Sequence, residues 1–94
     1  MKKILNLYKD LIVWQKSMEL VTEIYTLTVK FPKEEIYGII SQMKRCAISI
    51  PSNIAEGRRR NGKKEFKRFL NIAYGSGAEL ETQIEISKRL KFIN

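Results

Sequence analysis

Histidine is absent from this 94-residue chain, and with it go the commonest general base and the commonest zinc ligand. Triad hydrolysis and histidine-containing metal sites are therefore excluded. A single cysteine, Cys46, rules out an intrachain disulfide and points to a reduced, intracellular compartment. Two prolines and five glycines are too few for a collagen-like or low-complexity chain. Long apolar runs are missing too: the uncharged stretch between Arg45 and Glu56 holds ten residues, where a membrane-spanning helix needs roughly 18 to 20. Met1-Lys2-Lys3-Ile4-Leu5 begins like a signal peptide, but Lys9 and Asp10 interrupt it too early. The expectation is a single cytoplasmic domain with no membrane association.

What the chain has in excess is positive charge: 18 Lys and Arg against 10 Asp and Glu, a formal net charge of +8. The excess is concentrated. Residues 1–57 carry eight basic and six acidic side chains, residues 58–68 carry seven and one, and residues 69–94 carry three of each. A block of this density suits docking to phosphates, although a run of Lys and Arg also reads as a solvated loop that keeps a protein soluble.

Apolar residues recur at helical spacing. Leu11, Trp14, Met18, Val21 and Tyr25 form one stripe, and Leu20, Ile24, Leu27 and Phe31 a second. Asp10 is the candidate N-cap and Phe31-Pro32 the stop, which predicts a helix over about 10–31. A second helix is predicted over about 33–57, with Glu34 and Glu35 in its first turn and Ile36, Ile39, Ile40, Met43, Ala47, Ile50 and Ile54 buried. Pro51 predicts a kink or two abutting helices, and Gly57 the end. After a short loop containing Asn61-Gly62, a third helix is predicted over about 62–91, its stripe running through Phe66, Phe69, Leu70, Ala73, Gly77, Leu80, Ile84 and Ser87. The small residues from Ala73 to Ala78 predict a tight helix crossing there, a break into two helices being the alternative. No strand pattern occurs, and the class is an all-α, antiparallel up-down bundle. Three wide apolar stripes are hard to cover in one short chain, so self-association is expected.

Gly57-Arg58-Arg59-Arg60-Asn61-Gly62-Lys63-Lys64 nearly matches a phosphate-binding loop, but Lys64 replaces the magnesium-holding hydroxyl and no strand precedes it. No catalytic residue, cofactor or metal is called. The candidate nucleic-acid-binding residues are Arg58, Arg59, Arg60, Lys63, Lys64, Lys67 and Arg68, of which 60, 63, 64, 67 and 68 are spaced to share a face. Backbone contacts of this kind are salt-sensitive and indifferent to base sequence. Trp14, Tyr25, Phe31, Phe66 and Phe69 fall at core spacing and are not expected to stack on bases. Cys46 reads as a small core residue. Glu79 reads as structural and Glu81 and Glu85 as surface charges paired by Lys88 and Arg89, whereas Glu56 and Arg45 are expected to be buried together or to meet across a subunit contact.

Several blocks are familiar: Leu11-Ile12-Val13-Trp14-Gln15-Lys16, Ile24-Tyr25 with Phe31-Pro32-Lys33-Glu34-Glu35, Ser41-Gln42-Met43-Lys44-Arg45-Cys46-Ala47-Ile48-Ser49-Ile50-Pro51-Ser52-Asn53-Ile54-Ala55-Glu56-Gly57, and Phe69-Leu70-Asn71-Ile72-Ala73-Tyr74-Gly75-Ser76 with Glu79-Leu80-Glu81-Thr82-Gln83. Together they resemble the four-helix-bundle proteins encoded in 23S ribosomal RNA intervening sequences, over roughly residues 8–92. The resemblance implies a bacterial protein forming a ring-like homopentamer with a basic surface. It also implies a fold similar to the accessory protein of diversity-generating retroelements, which binds nucleic acid. No catalytic residues come with it. Gln42, Arg45, Asn53 and Glu56 are the polar members of the matched blocks. The family continues past Lys88-Arg89-Leu90 into a fourth helix, whereas this chain stops at Asn94, so the expectation is three helices present and the fourth missing. The functional expectation is a non-enzymatic homo-oligomer that binds RNA or DNA backbone. The alternative is a scaffold whose apolar groove packs on a partner protein's helix or on its own copies.

Overall fold

The computed structural model describes residues 7–60 and 62–93. Among them are three α-helices and no strand: α1 (Ile12–Thr28), α2 (Ile39–Arg59) and α3 (Lys63–Arg89). Asn61 of the predicted loop and the signal-like residues Met1 to Leu5 lie outside the described residues.

The start of α1 is set by its neighbours and not by Asp10. A 3₁₀ turn over Leu7–Asp10 precedes it, Leu11 takes the N-cap position with no side-chain cap, and Gln15 Nε2 donates to Lys9 O at 2.9 Å. The buried line of α1 runs through Ser17, Ile24 and Thr28, between the two predicted stripes. Both hydroxyls are satisfied within the helix, Ser17 Oγ donating to Trp14 O and Thr28 Oγ1 to Ile24 O, so their burial leaves no unpaired donor. Met18 and Tyr25, expected inside, are partly exposed on the flank of α1 that faces α2: Met18 borders a shallow pocket with Ile48 and Pro51, and Lys44 Nζ sits 4.5 Å from the Tyr25 ring centroid. Past Thr28 the chain turns, and Phe31 folds back into the core.

The second helix begins later than its acidic start suggests. Lys33–Glu35 form a separate 3₁₀ turn, Ile36 and Tyr37 are exposed, and α2 starts at Ile39, whose N–H donates to Glu35 Oε1 at 3.4 Å. From there Ile40, Met43, Ala47 and Ile54 are buried. Pro51 is buried inside α2, which continues through it as one helix.

Gly57 is not the stop. It lies inside α2, and a Cβ built on it would stand 2.5 Å from Phe69 Cβ. That is closer than side chains tolerate, so only glycine lets α2 and α3 cross here. Within the small segment from Ala73 to Ala78, the contact with α2 is made by buried Ala73 and by Ser76, whose Oγ lies 2.9 Å from Ser49 Oγ, and not by the glycines: nothing lies within 4 Å of a Cβ at Gly75, and Gly77 meets only Ile50 Cδ1 at 4.0 Å. No break follows, and α3 stays helical for 27 residues, about 40 Å. It ends in a Schellman turn with Lys91 at φ 65°, where Phe92 N–H donates to Ser87 O and Lys91 N–H to Lys88 O. The reversal brings Phe92 against Phe31, ring centroids 5.4 Å apart.

The central helix is α2, with α1 and α3 each packed on it and barely touching one another. Between the outer two lies an open groove of about 640 Å³ whose walls include Val13, Leu20, Ile50, Leu70 and Ile84. No helix among the described residues is long and apolar enough to cross a membrane.

Candidate nucleic-acid interface

The α2–α3 corner gathers all seven predicted cations. Arg58 and Arg59 close the last turn of α2, Arg60 leaves the helix in extended conformation, and Gly62 at φ 116° lets the chain turn sharply. That positive φ is easy only for glycine. Lys63 and Lys64 then open α3, and Lys67 and Arg68 follow one turn later. All seven side chains are exposed.

The arginines are anchored to the core. The Arg58 guanidinium lies 5.7 Å from the Phe66 ring centroid, while Arg60 and Arg68 lie 5.2 and 5.0 Å from that of Phe69. Such contacts hold a flat cation against an apolar face at little desolvation cost. Carboxylates join two of them: Glu56 accepts from Arg60 Nε at 3.1 Å, and Glu65 accepts from Arg68 Nη1 at 3.3 Å with Arg60 Nη1 4.0 Å away. These pairs are about half exposed and so weak. Arg58, Arg59, Lys63, Lys64 and Lys67 have no carboxylate within 4.0 Å among the described residues.

Helix electrostatics sharpen the contrast. Arg58 and Arg59 sit at the C-terminal end of α2, where cations are favoured. Lys63 and Lys64 sit at the N-terminal end of α3, where the macrodipole disfavours a cation by roughly 0.3 to 1 kcal/mol. The N-cap, Gly62, offers no side chain to those first N–H groups. The corner therefore combines side-chain and backbone positive charge toward solvent, an arrangement suited to anions.

The other sequence candidates stand apart. Gln42 and Arg45 are exposed on the first half of α2. Asn53 belongs to the α2–α3 seam, its Nδ2 donating to Ser49 O and Oγ, with Ser49 Oγ 2.9 Å from Ser76 Oγ. Arg45 and Glu56 are not buried together. Both are exposed, eleven positions apart on one helix, about 16 Å, and Glu56 pairs with Arg60. Glu85 pairs with Arg89 at 3.4 Å, as the spacing suggests. The near-match to a phosphate loop is not one, since Gly57 lies within α2 and Gly62 begins α3.

Cys46 is buried, and burial pushes its thiol up from the ordinary value, opposed by a hydrogen bond from Gln83 and reinforced by the nearby Glu79 carboxylate. Gln83 Nε2 lies 3.5 Å from the sulfur. Among the described residues no group of three or more Cys, Asp or Glu side chains could hold a metal. Sequence reasoning missed Glu65 as the counter-charge of the corner, although its three-residue spacing to Arg68 was readable. The role of Phe69 as the surface beneath two arginines had no local signal.

Residues 9–94 match the 23S rRNA-intervening sequence protein family, and the chain belongs to it. No curated protein matches the chain.

Proposed function

We propose that this 23S rRNA-intervening sequence protein binds the phosphodiester backbone of nucleic acid, RNA foremost, at the α2–α3 corner, without catalysing a reaction on it. The observation that carries the reading is the placement of Lys63 and Lys64. They occupy the end of α3 where the helix itself repels them, with no carboxylate partner among the described residues. Cations held at such a position lose stability within the chain and gain it from an anion. Arg58, Arg59, Arg60, Lys67 and Arg68 widen the same surface, and a backbone strand laid over it releases counterions in proportion to the phosphates covered. The family description, which concerns ribosomal RNA, agrees with this ligand class. Two of the arginines are tethered by Glu56 and Glu65, so the five other cations form the first contacts.

Fluorescence anisotropy with a short single-stranded RNA at several salt concentrations tests the proposal. Log affinity should fall linearly with log salt, by about 0.7 for each phosphate neutralised. Arg59→Gln, Lys63→Gln, Lys64→Gln and Lys67→Gln together should flatten that slope by about 3 and abolish tight binding. Glu65→Gln should tighten binding by about threefold, because it removes one negative charge from the corner and frees Arg68 from an exposed pair worth less than about 1 kcal/mol. Unchanged affinity in the quadruple variant overturns the proposal.

The apolar groove supports a second reading, a scaffold that receives a helix.

A further inference from the structure

Two arginines of the corner are held unlike its other cations. The guanidiniums of Arg60 and Arg68 both lie over the ring of Phe69, 5.2 and 5.0 Å from its centroid. That ring is itself held in place, because Phe69 is buried and its Cβ fits against the α2 backbone where Gly57 leaves room. Carboxylates flank the two cations: Glu56 Oε2 accepts from Arg60 Nε at 3.1 Å, and Glu65 Oε1 lies 3.3 Å from Arg68 Nη1 and 4.0 Å from Arg60 Nη1. No one of these contacts is strong, but together they limit the rotamers open to each arginine. Two arginines and two carboxylates leave the set with no net charge. It therefore adds little to the attraction of a polyanion, which falls to Arg58, Arg59, Lys63, Lys64 and Lys67. Yet the Arg60 and Arg68 side chains keep 50% and 59% of their surface open to solvent. What they present there is a flat, delocalised and weakly hydrated cation, already aligned.

We propose that Arg60 and Arg68 stack on unpaired nucleobases, so that the corner selects single-stranded RNA over duplex. This rests on the backbone binding described above and adds the strandedness of the ligand to it. A guanidinium plane accepts any base, because every base has a π-face to set against it. In a duplex those faces are covered by the neighbouring base pairs. Only a single strand, a loop or an end can turn a base outward. Lys64 and Arg68 stand four residues apart on α3, neighbours on one face and about 6 Å apart along the axis. A nucleotide whose phosphate meets Lys64 thus brings its base to Arg68. Lysine in place of either arginine keeps the charge and loses the plane.

Anisotropy at one raised salt concentration tests it with three probes of equal strand length: oligouridylate, an abasic strand carrying the same phosphates, and an RNA duplex. A surface that reads phosphates alone holds the duplex most tightly, since its charge is the densest of the three. The expected order is different. Oligouridylate should bind about fivefold or more tighter than the abasic strand, and tighter than the duplex. Arg60→Lys with Arg68→Lys should bring the ratio of oligouridylate to abasic affinity to about one, with helical circular dichroism retained. Should the double variant not fold, each single replacement gives the same reading in part, by lowering that ratio. Oligouridylate bound no better than the abasic strand, a duplex bound as tightly as oligouridylate, or a base preference that survives the lysine replacements overturns the inference and leaves backbone binding standing. Failure to bind any of the three probes overturns both.

Discussion

The two long faces of α3 differ in what they do with glycine and small residues. On the inner face α3 meets Gly57 of α2, and the absence of one carbon there lets Phe69 sit against the α2 backbone. On the outer face Gly75 opens onto empty space, and Tyr74 beside it is exposed. Glycine in a helix thus has no fixed meaning. Its role follows from what lies across from it, and a neighbour's ring or an unfilled surface are opposite cases.

Substitution can break this contrast. Gly57→Ala should destabilise the fold by about 1 to 3 kcal/mol through overpacking against Phe69, read as a lower urea midpoint with unchanged slope. If it unfolds no more easily than the parent, the inner crossing is looser than its 2.5 Å approach implies. Gly75→Ala should act in the opposite direction, raising stability by up to about 1 kcal/mol in dilute protein, where the helix gains propensity and meets no obstacle. The smallest effect concerns Cys46, which the inner seam shields. Burial raises its folded pKa above the unfolded value, so its contribution to stability is fully present below the unfolded pKa and is lost as pH rises through the folded one. Unfolding curves at alkaline pH should therefore be less pH-dependent in Cys46→Ala. In the folded parent Cys46 should react with a thiol reagent far more slowly than a cysteine introduced on the outer face at Tyr74.

The periodicity of α2 was readable because its buried residues are nearly all apolar, from Ile40 through Ile54. That of α1 was only half readable. Its inward line uses Ser17 and Thr28, whose hydroxyls bond back to their own helix and so cross into the core without the apolar signature that a pattern search needs. Gly57 resembled a helix end because a glycine followed by three arginines looks like a C-cap, and the ring that requires it is twelve positions away. The basic corner was legible because its cations are nearly contiguous. Its partial neutralisation was less so: Arg60 leaves the helix before meeting Glu65, and a helical register cannot describe that contact.

The Phe31–Phe92 contact ties the far ends of α1 and α3 together, while their other ends, near Val13 and Leu70, stay separated across α2. The trio of rods is thus shaped like a clothes-peg with its spring at the aromatic end. Any guest entering the mouth prises the jaws apart about that pivot, and the amide hydrogens of the first turns of α1 should exchange with solvent sooner than those beside Phe31.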